Sequence, residues 1–512
     1  LIWINRIGHL ICVAMPHSLM VGITGKAMTT TCIRNAACII AWDAANRRHA
    51  YLFGGDVAFT GETLVYVGAK YEGAADATID GTNTMVMPGL VDLHSHPSTE
   101  PFYRGVREEH GVPSMYMSGL YERSVALQPD PVARIAGKQV AFCEMLLSGV
   151  TSVADLSGID EGWIDIAAQS GLRVFLAPSF ASARWYLENG WALKYRWDEA
   201  AGRRGLDAAL GLIAEAAAHP SGRLAGIVSP AQIDTCTEDL LRDSFAAAEE
   251  RDVPLTVHCA QSVNEFQIMI DRHGKSPVQF ARDLGILSPR TVLGHAIFID
   301  EHSWVRWHTH SDLAALVETG ANVAHCPSPF ARYGHTLEDF GRYRRAGVNL
   351  GIGTDVAPHN VIEEMRLAAI LARVSARDIN TTSVNALFHA ATVGGAEALG
   401  RGDIGRLAAG AKADLVLVDL ANVWMRPARD PLRSLVFTGA DRAVRTVFVH
   451  GTKVMQDGHV LTMDHEAALA GVAEGQARML RDAPSRDWAG RSAEEISPLS
   501  LPVLGDRRNQ TA

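Results

Sequence analysis

The apolar positions of this chain change their period twice. Between residues 31 and 88 they fall in short runs (Ala37 to Ile40, Ala50 to Phe53, Thr63 to Gly68, Met85 to Met87) separated by Gly- and Asp-rich turns, a pattern that predicts strands. Residues 405–464 repeat it, with Ala413-Asp414-Leu415-Val416-Leu417-Val418-Asp419 and the run from Val444 to Gly451. In between, short apolar runs at 90–96, 150–156, 173–179, 225–230, 254–261, 291–298, 322–328 and 349–355 alternate with helical periodicity. Pro131 to Leu147 is the clearest helix, with Val132, Ile135, Val140 and Met145 at turn spacing; Thr237 to Glu250, Pro277 to Leu284 and Ile362 to Val374 are also amphipathic. Eight strands alternating with helices predict an α/β fold, a (β/α)8 TIM barrel, with a small β-sandwich domain built from both chain ends. A doubly wound open sheet is the alternative, but no Gly-rich phosphate fingerprint follows the first strand.

The expected organisation is an N-terminal extension at 1–28, sandwich strands at 29–88 and 403–465, and the barrel at 89–402. A C-terminal helix (Glu466 to Arg481) and tail fill 466–512, the tail extending over the surface or a neighbouring subunit. Long gaps after strands one and three predict insertions around the barrel mouth.

Composition narrows the class. At 512 residues with 47% hydrophobic and 20% charged residues, a large core forms without disulfides. A net charge of −10, with both signs interspersed, excludes a nucleic-acid surface. Seven scattered cysteines without a CxxC pair fit a reducing cytoplasm. The apolar piece from Leu10 to Met15 is too short to span a bilayer, and residues 1–27 are expected to be an upstream-translated or appended extension. The expected protein is therefore cytoplasmic and homodimeric, acting on a small molecule with no nucleic-acid or membrane partner.

The chemistry sits at the ends of the barrel runs. His94-Ser95-His96 places two imidazoles on one face of a strand, because side chains at i and i+2 point the same way. Later runs end in Val257-His258-Cys259-Ala260-Gln261, Gly294-His295, Ala324-His325-Cys326 and Gly353-Thr354-Asp355. Each alone reads most simply as a loop or structural residue. Together they occupy the barrel face on which active sites are built. Three neutral imidazoles and a carboxylate with an open position make a hydrolytic Zn2+ or Fe2+ site, where the metal lowers the pKa of bound water. Asp355 is the natural acceptor for that water's proton.

These motifs resemble the amidohydrolase superfamily, and most closely its aminohydrolase and chlorohydrolase branch, which includes S-adenosylhomocysteine and guanine deaminases and triazine hydrolases. The resemblance rests on Pro88-Gly89-Leu90-Val91-Asp92-Leu93-His94-Ser95-His96, Val257-His258, Gly294-His295, His325-Cys326-Pro327, Gly353-Thr354-Asp355 and the closing stretch from Gly402 to Leu415. It implies His94, His96, His258 and Asp355 as ligands of one divalent metal ion, Zn2+ in preference to Fe2+, with His295 and Asp355 catalytic. Binuclear relatives use a strand-four lysine, which Gly226-Ile227-Val228-Ser229-Pro230 lacks.

Two positions depart from the family. Deaminases of this branch carry His-x-x-Glu on strand five, and here Gln261 replaces that proton-donating Glu. Ser229-Pro230-Ala231 replaces a substrate-binding Gly-Pro-His. Gln261 is therefore expected to orient substrate. Glu265 also matches the family and reads as a carboxylate at a helix start. Glu100, Tyr103 and Arg104 after strand one, and His325, Ser328, Arg332, His335 and His359 after strands seven and eight, are candidates for lining the mouth. Trp185, Trp191 and Trp197 either stack a planar ring or pack their insertion on the barrel, and His302, His308 and His310 are expected to face solvent. The expected function is metal-dependent hydrolysis of a non-peptide carbon–nitrogen bond in a small N-heterocycle. A dechlorinase with a non-amine leaving group, and a barrel retained only for binding, are the rivals.

Overall fold

The computed structural model describes residues 29–107 and 118–504; the expected extension at 1–28 lies outside the described residues. All eight barrel strands form: Leu90–Ser95, Val150–Asp155, Arg173–Leu176 (continued by Ser179–Phe180), Leu224–Gly226 (continued by Ser229–Pro230), Leu255–Cys259, Thr291–His295, Asn322–His325 and Leu350–Ile352. They run parallel as two four-stranded sheets. The barrel closes where Val228 bridges Leu255 and where Ser95 bridges Asp355, the Asp355 N–H donating to His94 O at 2.8 Å. Strand eight is thus sewn to strand one at the level of the paired histidines.

Helices start where the sequence supplies a cap. Asp130 accepts the Ala133 N–H ahead of Pro131–Leu147, Thr237 caps Glu238–Arg251, and Ser276 caps Pro277–Leu284. Val91, Leu93, Ala154, Phe175, Ile227, Val292 and Ala324 fill the barrel interior.

Strands from both ends of the described chain make one mixed nine-stranded sheet. Thr84–Pro88 lies between Thr30–Asp43, to which it is parallel, and Leu415–Asp419, to which it is antiparallel. Alternation assigns the two faces. Met85, Met87, Val416, Val418, Val447 and Val449 pack into the barrel's core, whereas Val86, Leu415, Leu417 and Phe448 meet Ile33, Ile39, Phe59 and Leu64 in a separate core. Phe59 and Phe448 approach edge-on at 5.5 Å, so the sheet folds over itself as the sandwich. A buried bidentate pair joins the two bodies: Arg173 of strand three donates to Asp414 at 2.5 and 3.1 Å.

The C-terminal helix, His465–Asp482, lies along Pro131–Leu147, sharing a core with Phe102, Ala133 and Val140. The residues after it turn back onto the same chain; Ile496 joins that core and Arg491 pairs with Glu122 and Asp487. No described helix is long and apolar enough to cross a membrane.

Candidate active site

The strand ends bring four candidate ligand atoms together. His94 Nε2 and His96 Nε2 lie 3.1 and 3.2 Å from His258 Nε2, and 3.5 and 3.2 Å from Asp355 Oδ1. A tetrahedral zinc with bonds of about 2.0–2.1 Å has ligand–ligand edges of about 3.3 Å. The observed separations fit that polyhedron. One ligand atom from each of His94, His258, His295 and Asp355 also falls within 4.8 Å of the others.

The tautomers point the same way. His96 Nδ1–H donates to Leu156 O at 2.9 Å and His258 Nδ1–H to Ala231 O at 2.6 Å. A carbonyl only accepts, so each ring carries a proton on Nδ1 and, when neutral, turns a bare Nε2 lone pair inward; burial lowers His96, but the Asp355 carboxylate 3.2 Å from its Nε2 outweighs it and raises the ring above the ordinary histidine range. As neutral rings the two would face each other as acceptors at 3.2 Å, a repulsion that a proton or a metal cation between them relieves. Burial, with the neighbouring imidazoles, holds His258 well below the ordinary histidine range, and burial does the same to His295. Both are neutral donors. Burial pushes the Asp355 carboxyl up, but His295, His94 and His96 outweigh it and keep it well below the usual carboxylate range. The donor set therefore fits a single divalent cation.

Local backbone accounts for this convergence. Asp92 Oδ1 accepts the N–H groups of His94 (3.3 Å) and Thr354 (3.0 Å), and its Oδ2 accepts the Thr354 hydroxyl at 2.6 Å. This buried carboxylate, pushed up to about 6 by desolvation, ties the strand of His94 to that of Asp355. Glycines make room: a Cβ on Gly294 would stand 2.8 Å from His94 Cε1, and one on Gly353 2.7 Å from His94 Cβ. Asp355 (φ 61°) and His295 (φ 103°) both adopt left-handed backbone, strain concentrated where the side chains must turn inward.

Above the cluster is a cavity of about 280 Å³ whose lining includes His96, His258, His295 and Asp355. Gln261, Glu100 and Tyr103 also reach it. Gln261 Nε2–H donates to Gln232 Oε1, and Gln232 shares the wall. Glu100 pairs with Arg123 at 3.4 Å, and Tyr103 Oη–H donates to Leu127 O at 2.9 Å.

The other mouth candidates point elsewhere. Arg104 pairs with Glu144, as does His359, whose Nδ1–H donates to Glu144 Oε2 at 3.0 Å. Burial drives His325 down to about 3, and its ring rests against Phe340. Ser328 donates its N–H to Glu364 at 2.9 Å. None of these four lines the cavity, because each is held by an element behind the strand ends. Glu265 accepts the N–H groups of Ala260 and Gln261, shaping the turn after strand five.

Of the three tryptophans only Trp185 reaches the cavity; Trp191 and Trp197 are exposed. His308 and His310 are also exposed, whereas His302 is buried, its ring nitrogen against Thr336 O at 3.1 Å. Sequence patterns did not indicate Arg123, Gln232 or Asp234. Asp234 accepts from Trp185 Nε1–H at 3.2 Å and from the Tyr195 hydroxyl, pinning the Ala183–Asn189 and Ala192–Trp197 hairpin over the cavity. For Gln232 a signal existed: it directly follows the departing Ser229-Pro230-Ala231.

With a (β/α)8 barrel and an inward-facing His/Asp cluster, the class is that of metal-assisted hydrolases. The amidohydrolase family profile matches residues 85–454, and the chain belongs to that family. A 5-methylthioadenosine/S-adenosylhomocysteine deaminase of Natronomonas pharaonis is 29% identical over 434 residues, 82% of this chain and 95% of that protein. A 5'-deoxyadenosine deaminase of Methanosarcina mazei is 27% identical over 419 residues, covering 81% and 91%. In fold, an adenosine deaminase from Xanthomonas campestris with bound zinc matches with a TM-score of 0.74 at 24% identity, covering 88% of this chain and 98% of that one. An atrazine chlorohydrolase from Arthrobacter aurescens complexed with zinc gives 0.75 at 23% identity, covering 87% and 100%.

Proposed function

We propose that this protein is a mononuclear metal-dependent hydrolase that removes an amino group from a small N-heterocycle. The observation that carries it is the meeting of the inward-turned Nε2 atoms of His96 and His258 with His94 and Asp355 at the floor of a cavity. His94, His96, His258 and Asp355 would hold the cation, Zn2+ suiting this imidazole-rich tetrahedral set better than Fe2+. When bound, the cation supplies an acidified water and polarises the scissile carbon's substituent.

The chain's own groups do the rest. Asp355 turns Oδ1 to His94 and His96, leaving Oδ2 to take the attacking water's proton and return it to the departing nitrogen. His295 Nε2, 3.9 Å from Oδ2, is placed to donate to the oxygen as the carbon becomes tetrahedral. The carboxamides of Gln261 and Gln232 present fixed donors and acceptors to the heterocycle's edge. The names of the two relatives above, both nucleoside-type deaminases, support an aminopurine head group.

Gln261 favours one second reading. A carboxamide cannot protonate a leaving group, so displacement of chloride, which needs no proton, suits this site as well. A cytoplasmic homodimer remains part of the proposal, and the six described cysteines, all free and buried, fit a reducing compartment. The test is metal quantification on the purified protein joined to a screen of aminopurines, aminopyrimidines and chlorinated s-triazines. One metal per chain with ammonia release is expected. Chloride release alone selects the second reading; metal far below one equivalent that reconstitution does not raise, with no product, leaves a binding barrel.

A further inference from the structure

Behind strand two the barrel gathers four charges that the proposed chemistry does not use. Lys138, on the helix Pro131–Leu147, is fully buried, and its ammonium bonds the buried Asp160. Arg134, one turn earlier, faces the other Asp160 oxygen at 2.9 Å. Asp155 ends strand two and is also fully buried. Its Oδ1 accepts the Ser157 hydroxyl, and its Oδ2 accepts Trp163 Nε1–H at 2.7 Å. The Lys138 ammonium lies 4.9 Å from the centre of that same Trp163 ring. Burial draws the ammonium below the ordinary lysine range, and Asp155 is the first of the charges that oppose this. Burial pushes the Asp155 carboxyl up, and Lys138 is the first charge that holds it down.

Such a set is costly to bury. Apolar residues of the same volume commonly leave a fold as stable or more so, which makes stability alone a weak reason for these charges. What the cluster encloses is the turn that holds a metal-site histidine. Asp155 and Ser157 flank Leu156, and the bond between their side chains brackets it. The Leu156 N–H donates to Ser95 O at 2.8 Å, and its carbonyl accepts His96 Nδ1–H at 2.9 Å. Leu156 and Arg134 both line the metal cavity, so the cluster stands directly behind the cavity wall. Lys138 itself does not reach that wall.

We propose that Lys138 and Asp155 are positioning residues for the metal site: the buried ammonium holds the Asp155 carboxylate on Ser157 and Trp163, and that grip fixes the Leu156 carbonyl that orients the His96 ring. The inference rests on the metal site proposed above. It extends the machinery of that site outward to the helix layer, through one carboxylate and one peptide carbonyl.

The test measures Zn2+ affinity by competition with a chelator, and the visible absorption of the Co2+-loaded chain, for the unsubstituted protein, K138M, D155N, K138M/D155N and S157A. K138M and D155N should each weaken Zn2+ binding at least about tenfold and shift the Co2+ bands, since losing a group that orients a ligand costs about 10- to 100-fold in affinity. Both act on one carbonyl, so the double variant should bind Zn2+ within about threefold of the weaker single variant. S157A leaves every charge in place and decides the matter alone if K138M does not fold; it should weaken binding about three- to tenfold and shift the same bands. Full Zn2+ affinity with unchanged Co2+ bands in a folded K138M or in S157A, or losses that multiply in the double variant, overturns the proposal. No Zn2+ bound by the unsubstituted chain removes the proposed metal site and this inference with it, a result distinct from equal affinities across the variants.

Discussion

The floor and the rim of the cavity are built by different means. On the floor, the chemical groups stand at the ends of barrel strands and backbone orients several of them: Leu156 O and Ala231 O hold the His96 and His258 rings, and the Asp355 N–H bonds His94 O. At the rim, insertions meet largely through side chains: Trp185 on Asp234, Tyr121 Oη with Ser262 Oγ at 2.7 Å, and Arg123 on Glu100. Backbone-set positions tolerate little change, because shifting one strand by a residue turns every side chain to the opposite face. Rim contacts can be exchanged singly. On the proposed function, reaction type and substrate choice would be carried by separate parts of the molecule.

Substitutions should reproduce that division, starting with the floor. His258→Ala should reduce bound metal below about a tenth of an equivalent and turnover at least about a thousandfold, read by elemental analysis and initial rates. Retention of full metal would break the comparison outright. Asp92→Ala touches no ligand atom but releases the strap between strands one and eight; metal affinity should fall about 10- to 100-fold, measured by competition with a chelator. Gln261→Glu should raise ammonia release from an aminopurine about tenfold if the leaving amine lacks a proton donor, and an unchanged rate would show that Asp355 already suffices. Trp185→Ala, at the rim, should raise KM about tenfold with kcat within about twofold, whereas Trp191→Ala, 67% exposed on the same hairpin, should alter neither.

What was legible in the sequence follows the same boundary. The eight apolar runs and the histidines closing them were readable because alternation and strand-end position are local properties. Asp92 lies in the strand-one motif, but its role is not legible there, since its partner Thr354 is 262 residues away. Arg104, His325, Ser328 and His359 follow strand ends just as Glu100 and Tyr103 do, yet spacing cannot say whether a loop side chain turns to the cavity or back to Glu144, Phe340 or Glu364. Gln232, Asp234 and Arg123 gain meaning only from contacts between insertions, which no single window of sequence contains.

The sheet drawn from both ends of the chain also governs the order in which the molecule can be made. Met85 pairs with Val418, and nearly the whole barrel is synthesised between them. At ordinary translation rates the central strand waits on the order of tens of seconds for its second neighbour. Throughout that interval the apolar side chains of Met85, Val86 and Met87 have no sheet partner on one edge, and Arg173 lacks the carboxylate of Asp414 that neutralises it in the finished protein. The nascent chain thus carries an open, sticky strand until its last strands emerge, and chaperone demand should peak late in synthesis, when the catalytic barrel is already complete.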